Sequence, residues 1–228
     1  MGGCNGRRSI GTRAVRLLLI LLLAGGPLAG GSVLAGPAQA IDWAALARRY
    51  TERVAQNPDD ADARFTLGVI QAHGGRFPEA LENLRWTERL VGERGRPAFA
   101  RRTMAAANLR LGAQPQDVLA LYKLAFAAYF INEKNVTVQA MLRAASLEPD
   151  HVWTAGYVGF LYAERGRLDE GIAWWERGLR MDPKNPVLHY MLGLAYSRKG
   201  DMKKAAAHFA AAYRDRTLYE YITGRRRA

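Results

Sequence analysis

The side chains that could do chemistry are few and scattered. Four histidines, His73, His151, His189 and His208, show none of the short spacings that gather metal ligands. None sits in a serine or cysteine arrangement suited to nucleophilic catalysis, so each reads as a packed or surface histidine. The acidic pairs Glu79 with Glu82 and Asp169 with Glu170 fall where helices should begin. Carboxylates there complement the helix dipole, which accounts for them without acid–base work. The doublets Gly25-Gly26 and Gly30-Gly31 follow an apolar run rather than a strand, unlike a phosphate-binding loop. These residues predict no metal, no cofactor and no catalytic centre, hence a chain that is not an enzyme.

The elements that would position any site begin after residue 40. Residues 1–40 carry Arg7, Arg8, Arg13 and Arg16, no acidic residue, and the apolar run Leu17 to Ala24, the layout of a secretory signal. Ala38-Gln39-Ala40 offers small residues for cleavage before Ile41, and Val33-Leu34-Ala35 is a second acceptable site. Uncut, Leu17 to Ala40 is long enough for an N-terminal membrane anchor, although Gly25, Gly26 and Pro27 interrupt it. The expected location is therefore outside the cytoplasm, periplasmic or secreted, with membrane contact only through an uncleaved leader. Arg7-Arg8 fits ordinary leader charge as well as twin-arginine export. Cys4 is the one cysteine and precedes the apolar run, whereas a lipid-attachment cysteine follows it. Without it the chain has no thiol for disulfides or metals, so packing must supply its stability.

Of 228 residues, 49% are hydrophobic and 24% charged, which suits one sizeable folded region rather than disorder. The net charge is +12; removing the leader's four arginines leaves 29 basic against 21 acidic residues. Such a mixed basic surface is read as solvated helix faces, and export argues against nucleic acid.

Small residues recur at a fixed interval. Ala125, Gly159 and Gly193 are 34 apart, as are Pro149 and Pro183. Twelve residues beyond each comes another small side chain: Gly68 with Ala80, Ala125 with Thr137, Gly159 with Gly171, Gly193 with Ala205. Seven further on come Thr87, Ala144, Gly178 and Ala212. Glycine inside a helix costs about 1 kcal/mol relative to alanine, so its recurrence signals backbones too close for a side chain. Turns at Gly74-Gly75, Arg165-Gly166-Arg167 and Lys199-Gly200-Asp201 divide the paired helices, and Asp182-Pro183-Lys184-Asn185-Pro186 separates neighbouring pairs.

This pattern resembles the tetratricopeptide repeat family. Residues 152–185 carry its motif as Val158, Gly159, Tyr162, Gly171, Trp175 and Pro183; residues 186–219 as Leu192, Gly193, Tyr196, Ala205 and Phe209, with Thr217 in place of proline. Residues 118–151 are a weaker copy, with Leu124, Ala125, Ala128, Thr137, Met141 and Pro149. Residues 61–94 supply Leu67, Gly68, Gln71, Ala80 and Leu84, then Gly92 instead of proline. The resemblance implies an all-α, right-handed superhelical solenoid of antiparallel helix pairs. Residues 41–60 look like a capping second helix, and 220–228 form a basic tail. The middle is irregular, because Gly68 and Ala125 are 57 apart; an extra helix in 95–117, helical in pattern over 97–111, would fit, as would a degenerate repeat in another register.

The resemblance further implies that first helices line a concave surface that binds a protein or peptide. On that mapping Phe65, Leu119, Tyr122, Phe126, Tyr129, Phe130, Trp153, Phe160, Tyr190 and Leu194 form an apolar strip able to anchor a partner, with Asp62, Val69, Ala72, His73, Gly156, Ala163, Glu164, Val187, Ser197 and Arg198 also facing it. Two alternatives stand beside this. In one the middle curls inward and buries Tyr122, Phe126 and Phe130 as core; in the other the strip is the interface of a self-associating scaffold. The lysines and asparagines of carboxylate-gripping relatives are absent, so an apolar contribution should dominate binding. The oligomeric state is left open by the sequence.

Overall fold

A computed structural model describes residues 41–215 of the chain. The leader with its cleavage sites and the basic tail of residues 220–228 lie outside the described residues. Those described form helices and no strand: α1 (Trp43–Gln56), α2 (Ala61–His73), α3 (Phe77–Ala113), α4 (Val118–Phe130), α5 (Lys134–Leu147), α6 (Val152–Glu164), α7 (Leu168–Met181), α8 (Pro186–Arg198) and α9 (Met202–Ala212). Antiparallel pairs α2–α3, α4–α5, α6–α7 and α8–α9 stack side by side into a solenoid.

Each first helix starts on a side chain that accepts an otherwise unpaired amide. Asp60, Asp117 and Asn185 accept from the backbone N–H groups of Ala63, Ala120 and Leu188 at 2.8, 2.9 and 3.1 Å. His151 holds the equivalent place between Asp117 and Asn185 and accepts from the Thr154 N–H at 3.2 Å through Nδ1. The chain thus uses an imidazole where its other repeats use a carboxylate or an amide.

The small residues sit where backbones nearly meet. A Cβ added at Gly159 would lie 2.9 Å from the Gly171 carbonyl oxygen and 2.5 Å from the Trp175 indole nitrogen. One at Gly171 would lie 2.8 Å from the Gly159 carbonyl, and one at Gly193 2.7 Å from the Phe209 ring. One at Gly178 would lie 2.5 Å from the Leu188 side chain of the next pair. The periodicity therefore records crowding both within pairs and between them.

The irregular middle is a broken helix. Within α3, Gly92 alone leaves helical geometry, at φ 66° and ψ 170°, which favours glycine because it has no Cβ to clash. Residues 77–91 pair with α2. Residues 93–113 then return, placing Phe99 against Phe65 at 5.5 Å and Arg102 against Asp62 at 2.7 Å. The expected insert at 95–117 is therefore a helix spanning 93–113, continuous with its predecessor except at Gly92.

It also restarts the stack. The Arg110 side chain donates to Asp117 at 2.7 Å just as Arg53 donates to Asp60 at 2.7 Å. Pro115 matches Pro58, so the helix stands before α4 as α1 stands before α2.

Candidate functional site

The extra helix changes the concave face, because it lets the first pair fold across α4 as far as α6. The Tyr157 hydroxyl on α6 donates to the Ala72 carbonyl at 3.0 Å. Phe77 meets Trp153 edge to face at 4.5 Å, and Gly75 is packed under the Trp153 indole. Phe65 meets Phe130 at 5.4 Å, and His73 meets Tyr122 at 5.1 Å.

Those contacts correct the aromatic-strip expectation. Phe65, Tyr122, Phe126, Phe160 and Tyr190 are buried by the chain itself and belong to its core. Four of these cannot meet a partner without the fold opening, whereas Phe160 lines the cleft between α6, α7 and α8. Trp153 and Phe130 remain partly exposed but serve the closure just described. Tyr129 donates its hydroxyl to Glu164 at 3.2 Å; burial and this nearby carboxylate raise its pKa above the usual phenol range. Leu119 and Leu194 also stay partly exposed. The inward-curling alternative is what the structure shows for Tyr122 and Phe126, with Phe130 only partly covered.

Among the described residues, a cleft of about 240 Å³ lies open on this face between α6, α7 and α8. Ala163, Glu164, Leu194 and Arg198, all at expected concave positions, line it with Leu168 and Met191. Two larger hollows lie elsewhere. One of about 530 Å³ separates α1 from the α2–α3 turn, and one of about 610 Å³ is bounded by α3 side chains alone, including Glu82, Arg85, Glu88 and Arg89. The first meets a first helix at Ile70, near the end of α2, and the second meets none, so neither runs along the groove.

The histidines are not isolated. His73, from the end of α2, lies between Trp43, stacked at 3.7 Å, and His151, stacked at 4.1 Å with ring planes 12° apart. Its Nε2 is 3.0 Å from a Glu148 carboxylate oxygen. Tyr122 and Thr154 share a hydroxyl bond of 2.6 Å, and Thr154 Oγ1 lies 2.8 Å from His151 Nδ1. Burial, then the neighbouring His73, pushes the His151 pKa down to about 3, so this ring is neutral and free to accept the Thr154 amide. Burial likewise raises the Tyr122 pKa.

The donor atoms of His73, Glu148 and His151 lie within 4.8 Å of one another, a set that by composition suits a divalent transition metal. The ring geometry does not suit one. Imidazole lone pairs lie in the ring plane, so two nearly parallel stacked rings aim theirs side by side rather than at one point. His151 also spends Nδ1 on an amide at a helix N-terminus, where the dipole opposes a cation. As arranged, the cluster is a polar tie between the first and third pairs.

Sequence spacing could not show this tie, because His73 and Glu148 are 75 residues apart. The one available sign was His151 standing 34 after Asp117 and 34 before Asn185, at a capping position. A second pair, His189 with His208, places two Nδ1 atoms 2.9 Å apart between α8 and α9.

Matches to family models agree with this architecture. Family models described as TPR repeat or tetratricopeptide repeat match residues 38–85, 159–200 and 187–214. The chain is also similar to solved structures of MamA. One is 21% identical over 81% of this chain and 92% of its own, with a TM-score of 0.44. Another, described as MamA 41-end from Desulfovibrio magneticus RS-1, is 18% identical over 76% and 95%, with a TM-score of 0.45. No curated protein sequence matches. By its matched repeats and stacked helix pairs, the chain is a tetratricopeptide repeat protein.

Proposed function

We propose that this chain, a protein–protein interaction scaffold by virtue of its repeats, works outside the cytoplasm and holds a short partner segment in the α6–α7–α8 cleft without catalysing a reaction. The cleft carries the reading: it is the stretch of expected concave surface that the folded-over first pair leaves uncovered. Its apolar lining from Leu168, Met191 and Leu194 supplies the non-directional part of binding, at about 25 cal/mol per Å² removed from water. Glu164 and Arg198, opposite charges on α6 and α8, set the orientation of whatever enters. The location is supported by the basic, then apolar, leader of residues 1–40.

A photo-crosslinking residue placed at Arg198 in the full chain tests the site in cells. Crosslinks to a protein partner at that position, absent when the same residue replaces the exposed Leu109, are the expected result. Equal labelling from both positions would remove the cleft from consideration. Recovery of the chain solely in the cytoplasmic fraction would remove the location.

A further inference from the structure

The pair His189 and His208 holds a proton arrangement that can be worked out from its neighbours. His189 Nε2 lies 3.1 Å from the Pro183 carbonyl oxygen, which can only accept, so Nε2 carries hydrogen. In the neutral ring Nδ1 then presents a lone pair. His208 Nδ1, 2.9 Å away, must be the donor. We propose that His189 and His208 form a proton-operated latch that holds α9, the last described helix, against α8 and releases it on acidification.

The placement makes the pair consequential. Only Ala205 and Ala212 of α9 are buried, fewer than in any helix from α2 to α8, so this helix is attached by less apolar surface than they are. Phe209 covers Gly193, and His208 stacks on Tyr196 with planes 10° apart. The charged and titratable groups around it are Glu176 on α7, which accepts from the Tyr196 hydroxyl at 2.8 Å, and Lys204 on α9 above the Tyr196 ring. Asp201, at the start of α9, lies 3.7 Å from Lys204, and Asp182 holds Asn185 in the turn beside Pro183. Burial, then the His189 charge, lowers the His208 pKa; Glu176 opposes this and Lys204 adds to it.

One added proton leaves the latch intact, because it goes to the second nitrogen of His208 and the Nδ1–H still meets a lone pair. The next has only His189 Nδ1 to occupy, which sets two N–H groups against each other. Releasing α9 removes this restriction, and its His208 then titrates near the ordinary value of about 6.5. The released form therefore takes up more protons as the pH falls below that value, and acidification favours it.

Hydrogen exchange of the full chain, corrected for intrinsic rates, tests the latch at about pH 7.5 and about pH 5, either side of the ordinary histidine value. Peptides covering residues 202–212 should gain roughly tenfold in exchange at the lower pH relative to peptides of α7, equivalent to about one differential proton over one pH unit. His208→Asn places a non-titrating amide donor at the Nδ1 position and should flatten that response. An equal response in wild type and variant overturns the latch. Nitrogen chemical shifts of the wild-type histidines provide a second readout that needs no substitution. At the higher pH they should show His189 as the Nε2–H tautomer and His208 as the Nδ1–H tautomer, and two Nε2–H rings would overturn the assignment.

Discussion

His151 stacks on His73 while its Nδ1 accepts the amide of Thr154, so one ring both caps α6 and ties that helix to the first pair. The two roles share one requirement, an unprotonated Nδ1. Trp43 on the opposite side of His73 extends the tie to α1.

Stability should therefore fall on acidification through His151. Its pKa in the fold, about 3, is below the unfolded value of about 6.5, so the unfolded chain binds the extra proton first. The contribution is fully present above about pH 6.5 and is lost as the pH falls toward about 3, with a limiting slope of about 1.4 kcal/mol per pH unit for one proton. Urea titrations across that window should be steeper for wild type than for His151→Asn, which keeps a cap acceptor that does not titrate. Parallel slopes would show that His151 binds a proton in the fold as readily as outside it.

Two glycine substitutions should act in opposite directions. Gly159→Ala drives a methyl group to 2.9 Å from the Gly171 carbonyl and should cost about 1–3 kcal/mol, a fall of several degrees in Tm. Gly112→Ala meets nothing within 4 Å and should be neutral or gain up to about 1 kcal/mol. Thermal scans of the two proteins side by side check the sign difference.

Removing the Tyr122 hydroxyl should be felt as lost stability. The 2.6 Å bond to Thr154 is fully buried, so Tyr122→Phe should cost about 1–2 kcal/mol in chemical denaturation. An unchanged denaturation midpoint would mean that Thr154 finds another partner.

The cap at α4 separates two contributions. Asp117→Ala removes both the acceptor for Ala120 N–H and the partner of Arg110, whereas Asp117→Asn keeps an acceptor for the amide. Alanine should cost about 1 kcal/mol and asparagine much less, because an ion pair with a largely exposed arginine contributes little. Denaturation midpoints of the two variants decide whether cap or charge matters more at this position.

The sequence by itself determined the helix pairs, because the constraints that make them are local and periodic. Gly159, Gly171 and Gly193 stand 12 or 22 positions apart along the chain, and hairpins of fixed length bring them together whatever else the fold does. The capping places Asp60, Asp117 and Asn185 are likewise written into each repeat. What only the tertiary structure decided was the fate of the groove. The left-handed turn at Gly92 sends residues 93–113 back beside α2, and that helix has no counterpart in the 34-residue period. With it in place the first pair reaches α6, Tyr122 and Phe126 become core, and His73 meets Glu148 and His151 across 75 residues or more. A periodic pattern reports which faces are apolar but not which neighbour covers them; that depends on the path between repeats, which a single backbone break redirected.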